Sequence, residues 1–148
     1  MNQDKNKSMR IIFLGTPEFA VESLKILIEN NCNVVGVITS TDQPAGRGLK
    51  LKQSPVKEFA VQHNLKVLQP VRLSDPAFLE EVTQLQADLQ IVVAFRMMPE
   101  VLWSMPHLGT FNLHASLLPQ YRGAAPINRA IMNGETETGE KMLSYLLS

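Results

Sequence analysis

The sequence of 148 residues contains one cysteine, Cys32, and therefore cannot form a disulfide within the chain. This absence excludes the class of small secreted proteins whose folds depend on several paired cysteines. Neither neighbour of Cys32 is a histidine or an aspartate, so no adjacent group in the sequence would activate its thiol as a nucleophile. We expect Cys32 to be a small buried side chain beside a strand.

Long apolar runs and an excess of either charge are also missing. No run approaches the roughly 18 apolar residues of a membrane-spanning helix, and residues 1–8 lack the apolar stretch of a signal peptide. Lys plus Arg and Asp plus Glu both number 14, so the net charge of zero indicates no bulk attraction to nucleic acid. We expect a cytoplasmic monomer without membrane contact, in which residues 1–8 form a disordered tail.

The rest of the chain alternates short apolar runs with helical segments. Strands are predicted at 10–14, 33–39, 66–69, 88–95 and 109–115. Helices are predicted after Thr16-Pro17, Ser54-Pro55 and Asp75-Pro76, where a capping residue precedes a proline, and at 99–105 and 126–132. Residues 40–53 are expected to form a polar loop. This order predicts an α/β fold, a Rossmann-like open and mostly parallel sheet with helices on both faces.

The first turn lacks the glycine pattern of a dinucleotide site. Gly15 is present, but Pro17 occupies the place of the second glycine, which argues against a NAD site. Ligands of open α/β sheets nevertheless bind at the carboxyl ends of strands, here near Gly15, Ser40, Phe95 and His114. No His, Cys and Asp residues are spaced as a metal site, so we expect no bound metal.

Asn112 and His114 lie two residues apart in the last predicted strand, and side chains two apart share one face. A carboxamide beside an imidazole at a strand end is suited to polarising a carbonyl oxygen. The spacing alone, however, is more typical of a structural strand end whose histidine is hydrogen-bonded.

Three motifs resemble one known family. Residues 112–127, NLHASLLPQYRGAAPI, are similar to the core signature of the 10-formyltetrahydrofolate formyltransferases. Residues 11–21, IIFLGTPEFAV, resemble the first strand and helix of the methionyl-tRNA branch of that family, and so does DQPAGRG at 42–48 followed by SPVK at 54–57. The resemblance spans residues 9–139 and implies a folate-binding, amino-terminal formyltransferase domain.

The resemblance implies transfer of the formyl group of 10-formyltetrahydrofolate to the α-amino group of initiator methionyl-tRNA. Asn112 and His114 match the family's donors to the developing oxyanion. The family's folate pocket corresponds to Arg96, Met97, Met98, Ser116, Leu117, Leu118 and Pro119. Leu118 and Pro119 are equally compatible with ordinary packing. Phe95-Arg96 also departs from the Tyr-Gly that is common in the family, so the backbone near Arg96 to Met98 is the more general candidate for reading a pterin.

The loop from Gly46 to Lys52 holds the densest positive charge, with Arg47, Lys50 and Lys52. Together with Lys57 these make four cations against one nearby acid, Asp42. On charge alone, a solvated mobile loop is the commoner explanation, although attraction to phosphates is a sufficient reason for such a cluster. The resemblance favours nucleic acid, because the family's matching loop enters the tRNA acceptor stem.

A family segment similar to Asp-Thr-Gly-Asp, some thirty residues beyond the histidine, has no counterpart here, and residues 140–148 diverge from the family. We expect the family's carboxyl-terminal barrel to be absent as well. We therefore expect a truncated, inactive form whose sheet stops before its last strands. Two alternatives remain open, a non-catalytic fragment that binds folate or tRNA and an enzyme like glycinamide formyltransferase. The second shares the Asn-x-His pair but lacks the long basic loop.

Overall fold

A central sheet of six strands organises the part of the chain that the computed structural model describes, which is residues 9–48, 50–113 and 130–131. In chain order the elements are β1 (Arg10–Gly15), α1 (Glu18–Glu29), β2 (Asn33–Ile38), β3 (Gln43–Ala45), β4 (Lys50–Lys52), α2 (Pro55–Gln62), β5 (Val67–Leu68), α3 (Pro76–Leu85), β6 (Leu89–Val93), α4 (Glu100–Trp103), β7 (Thr110–Asn112) and β8 (Ala130–Ile131). The sheet order is β5-β2-β1-β6-β7-β8, and β3 and β4 form a separate hairpin.

All neighbouring strands of the large sheet are parallel except β7 and β8, which pair antiparallel. The chain runs outward from β1 through β2 to β5, and then returns to place β6 on the other side of β1. This reversal puts the topological switch point between β1 and β6. The sequence-based prediction of a Rossmann-like, mostly parallel sheet is confirmed.

Apolar side chains cover both faces of the sheet, because successive strand residues point to opposite sides. On one face Ile11, Phe13 and Ile91 pack with α1 and α2. On the other face Ile12, Leu14 and Val92 pack with α3 and α4. Helices therefore lie on both faces, as predicted, and no helix within the described ranges is long and apolar enough to cross a bilayer.

Two of the three predicted helix caps are confirmed. The Ser54 hydroxyl accepts a hydrogen bond from the backbone N–H of Lys57 at 3.0 Å, and the Asp75 carboxylate accepts one from Phe78 at 3.0 Å. The prediction of Thr16 as the cap of α1 is wrong, because the backbone stays extended through Pro17, which takes the cap position without a side-chain bond. The carbonyl of Thr16 instead accepts from Val56 of α2 at 3.4 Å.

Two further segments differ from the prediction. Residues 43–45 and 50–52 of the expected loop pair as a hairpin, with Gln43 opposite Lys52. Ala130–Ile131 lies in the predicted helix 126–132 but pairs with Phe111 and Asn112 as β8. Pairing satisfies backbone groups that β7 would otherwise present as an open edge, and this tertiary demand outweighs local helix propensity.

The end of β1 approaches the end of β6 so closely that only glycine fits. A Cβ on Gly15 would lie 2.9 Å from the carbonyl oxygen of Val93 and 3.1 Å from the Cβ of Ala20. The first neighbour is backbone, which cannot move without disturbing the β1–β6 pairing. At Gly36 in β2, by contrast, a Cβ would meet the Cδ1 of Leu85 at 2.8 Å, the free end of a flexible side chain.

We therefore expect Gly15→Ala to destabilise the fold by about 1–3 kcal/mol, the usual cost of overpacking, and Gly36→Ala to cost clearly less. Both changes lower the entropy of the unfolded chain equally, so the difference between them isolates the steric effect. Urea denaturation midpoints at unchanged slope measure it. Equal losses in the two variants would show that the Val93 carbonyl can yield, contrary to this account.

Candidate functional site

The carboxyl-terminal edge of the sheet carries the candidate site. The chain leaves β1 after Gly15, β6 after Val93 and β7 after Asn112, and these three strands are neighbours. Since they are parallel, their exits lie at one edge of the sheet. The crevice beside the switch point between β1 and β6 is where open α/β sheets bind ligands. We name the segment 94–98, which follows β6 at this crevice, the exit loop.

The exit loop turns sharply away from the sheet and exposes its backbone. Ala94 adopts a left-handed conformation with φ of 52°. Within the described residues, the backbone N–H groups of Phe95, Arg96 and Met97 donate to no other group. Met98 is buried in the core against α3 and α4, whereas the Met97 side chain is 93% exposed. The loop therefore offers backbone donors at the crevice while one methionine holds it in place.

The side chain of Arg96 is occupied by another segment of the protein. Its guanidinium donates to the carbonyl of Pro70 at 2.6 Å and to that of Val71 at 2.9 Å. It also lies 5.5 Å from the ring centroid of Phe95, within the range of a cation–π contact. Arg96 thus ties the exit loop to the chain that follows β5, and the backbone of the exit loop is the part left available to a ligand.

Asn112 ends β7 beside Val92 and is half-buried. Its side chain shares a face with Thr110, whose hydroxyl lies 2.7 Å from the carbonyl of Trp103. No partner for the Asn112 carboxamide is found among the described residues. The other predicted residues of this region, His114, Ser116, Leu117, Leu118 and Pro119, lie outside the described residues.

Arg47, Lys50 and Lys52 are all exposed on the hairpin of β3 and β4, which we name the basic hairpin (residues 43–52). Lys50 and Lys52 share one face of β4, since they are two residues apart. Gly46 and Gly48 have φ values of 71° and 86°, which glycine adopts without strain, and they form the turn that presents Arg47. The structure therefore gathers the three predicted cations on one projecting element.

A hydrogen-bonded cluster holds the foot of the basic hairpin. The ammonium of Lys57 lies 3.1 Å from both carboxylate oxygens of Asp42, and the amide of Gln69 donates to Asp42 at 2.8 Å and to the carbonyl of Ser40 at 3.0 Å. The bonds from Gln69 and then Lys57 lower the pKa of the Asp42 carboxyl, which is therefore ionised at neutral pH.

This ion pair corrects the sequence-based count of four cations. Lys57 is half-buried against Asp42 and belongs to the foot of the hairpin, so three positive charges remain exposed. Gln69 was missed by the sequence analysis. It directly follows β5 and thus stands at the same sheet edge as the other strand ends, and the strand-end rule applied to the short strand 67–68 would have found it.

Cys32 is 8% exposed in the core, as expected. Burial raises the pKa of its thiol to about 11, so the nucleophilic thiolate is scarce at neutral pH. Within residues 9–48 and 50–113, no group of three His, Cys, Asp or Glu side chains is placed to bind a metal ion.

Comparisons with known proteins identify relatives over most of the chain. The methionyl-tRNA formyltransferase of Bacteroides thetaiotaomicron is 64% identical over 135 residues, which are 91% of this chain and 42% of that protein. The enzyme of the same name from Flavobacterium johnsoniae is 66% identical over 133 residues, which are 90% of this chain and 42% of that protein. The chain thus spans less than half the length of these relatives.

A solved structure of the microcin C7 biosynthetic enzyme MccB in complex with N-formylated MccA is 18% identical and covers 76% of this chain and 38% of its own, with a TM-score of 0.42. That likeness is too weak to support an argument, and the fold assignment rests on the sheet itself. The sequence model of the formyl transferase family matches residues 9–144. This chain belongs to the formyl transferase family.

Proposed function

We propose that this chain supplies the donor-binding part of an enzyme that transfers a formyl group from 10-formyltetrahydrofolate to the α-amino group of initiator methionyl-tRNA. The observation that carries the proposal is the 64% identity over 135 residues to a protein named methionyl-tRNA formyltransferase. Because these residues make up 42% of that relative, the complete reaction is proposed for the longer protein. We propose that the protein acts in the cytoplasm and is a monomer.

The exit loop is proposed to read the pterin of the folate. A pterin ring presents both donors and acceptors along one edge, and three available backbone N–H groups at Phe95, Arg96 and Met97 suit its acceptors. The loop sits at the switch-point crevice, where the sheet topology favours a ligand. This assignment relies on the backbone and is therefore compatible with Arg96 standing where the family commonly has glycine.

Asn112 is proposed to donate a hydrogen bond to the oxygen of the transferred formyl group, as the resemblance implies for it and for His114. The position of its carboxamide at the end of β7, without a partner among the described residues, suits this role, because a donor aimed at developing negative charge contributes most when it is already in place. The attacking α-amino group, with a pKa of about 7.7–8.0, must also lose a proton. The family's carboxylate segment for that step has no match in this sequence.

Residues 140–148 contain no aspartate, and this observation favours a second candidate, a fragment that binds folate or tRNA without turnover. We expect the 148-residue chain to bind 10-formylfolate, a stable analogue of the donor, and to formylate methionyl-tRNA no faster than a blank. The enzyme of Bacteroides thetaiotaomicron is the positive control for the assay. Turnover above the blank would eliminate the fragment. Failure to bind 10-formylfolate would eliminate the first candidate, and failure to bind tRNA as well would eliminate both.

Backbone recognition at the exit loop is tested by a pair of changes at one position. Met97→Pro removes a backbone donor, and we expect it to weaken 10-formylfolate binding about fivefold, the factor for a net hydrogen bond of about 1 kcal/mol. Met97→Ala keeps the N–H group, and its affinity should stay within about twofold of the parent. Calorimetric titration measures both, with thermal melting as the check on folding. A larger loss for the alanine variant would assign recognition to the side chain instead.

The basic hairpin is proposed to contact the phosphates of tRNA. The double change Lys50→Gln and Lys52→Gln should weaken tRNA binding. It should also reduce the magnitude of the negative slope of log affinity against log salt by roughly 1 for each lost contact. Arg47→Gln should weaken it further. The matched control, Lys25→Gln with Lys66→Gln, removes the same charge from exposed positions on α1 and before β5. Equal salt slopes for the two double variants would show attraction by net charge only.

A further inference from the structure

The amide of Gln69 joins the segment after β5 to the foot of the basic hairpin. Its Nε2 donates to the carbonyl of Ser40 at 3.0 Å and to the carboxylate of Asp42 at 2.8 Å. An amide nitrogen carries two protons, so both are used. Asp42 directly precedes β3, and Ser40 lies two residues before Asp42. Gln69 therefore bonds to the chain where it enters the hairpin.

The next two residues of the same segment are bonded to a different part of the chain. The guanidinium of Arg96 in the exit loop donates to the carbonyls of Pro70 and Val71. Pro70 has a restricted φ, which makes the segment stiffer than an ordinary loop. Three consecutive residues, 69–71, are thus bonded both to the foot of the basic hairpin and to the exit loop. We name residues 69–71 the bridge segment.

We propose that Gln69 is a positioning residue, which makes the orientation of the basic hairpin depend on the exit loop through the bridge segment. The inference rests on the proposed function for its meaning, because it links the part assigned to the folate donor with the part assigned to tRNA. The contacts themselves do not depend on that assignment. A coupling of this kind is reciprocal, so a ligand held by the exit loop would affect the hairpin as much as the reverse.

The hairpin needs such a support because it is separate from the large sheet. An isolated hairpin of two strands is marginally stable in water, so its orientation is set mainly by its foot. Asp42 is held there twice, by Gln69 and by Lys57 of α2. Loss of the Gln69 amide would leave the Lys57 pair in place, and the hairpin would stay attached but would no longer be held to the bridge segment.

Cleavage by trypsin measures how often the hairpin opens, since trypsin cleaves after Arg47, Lys50 and Lys52. The cleavage rate follows the population of open states when closing is fast. We expect Gln69→Met to raise cleavage at these sites about 5-fold to 25-fold, because each of the two lost hydrogen bonds contributes a factor of about five. The thermal midpoint should change little. Gln84→Met, the same chemical change at an exposed position of α3, is the matched control and should leave cleavage unchanged.

The decisive variant is Arg96→Met, which alters the exit loop and does not touch the hairpin. We expect it to raise hairpin cleavage as well, and to add nothing further in a Gln69→Met background, because coupled residues are non-additive. No effect of Arg96→Met on the hairpin, or full additivity with Gln69→Met, would overturn the proposal. The cycle is run without ligand, so a failure of 10-formylfolate to bind would refute the proposed function separately and leave this result interpretable.

Discussion

The close approach of β1 and β6 is the constraint on which the rest of the structure depends. Gly15 faces the carbonyl of Val93 at a distance that admits no side chain, and this contact lies at the point where the strand order reverses. The same two strands supply the central residues of both apolar layers. The close packing of β1 against β6 therefore determines both the crevice and the core. A ligand at the switch point would contact backbone that the core already holds rigid.

Much of this architecture could be predicted because its signals are local. Ser54 and Asp75 each stand before a proline and cap a helix as expected, and the continuous apolar strands indicated a sheet covered on both faces. The failures share a different cause. Thr16 does not cap α1, and its carbonyl accepts a hydrogen bond from Val56 of α2, forty residues further along the chain. Ala130–Ile131 pairs with β7 where local propensity favoured a helix. Both segments make hydrogen bonds to distant parts of the chain, which local sequence signals do not show.

The site follows the same division. The strand-end rule directed attention to Gly15, Ser40, Phe95 and His114. His114 lies outside the described residues, and the structure places the exits of β6 and β7 side by side. Charge patterning identified Arg47, Lys50 and Lys52, yet it counted Lys57 with them, because a sequence does not show which cations are neutralised by a partner. Charge patterning could not identify Gln69, which only the strand-end rule applied to the short β5 would have found. Its contact with Asp42 joins residues 27 apart, and an amide carries no charge pattern to reveal it.

The proposed folate donor and the proposed tRNA would place opposite demands on one chain. A pterin ring would benefit from hydrogen-bond donors that do not move, and buried Met98 and the Arg96 contacts restrain the exit loop in this way. A nucleic acid benefits from a surface that can adjust, and the basic hairpin, separate from the main sheet, meets that need. If the exit loop and the basic hairpin moved independently, the proposed tRNA would not be aligned with the proposed folate donor. In the proposed arrangement the bridge segment would restrain the basic hairpin at its foot, and the turn of the hairpin, which contains Gly46 and Gly48, would adjust to the partner.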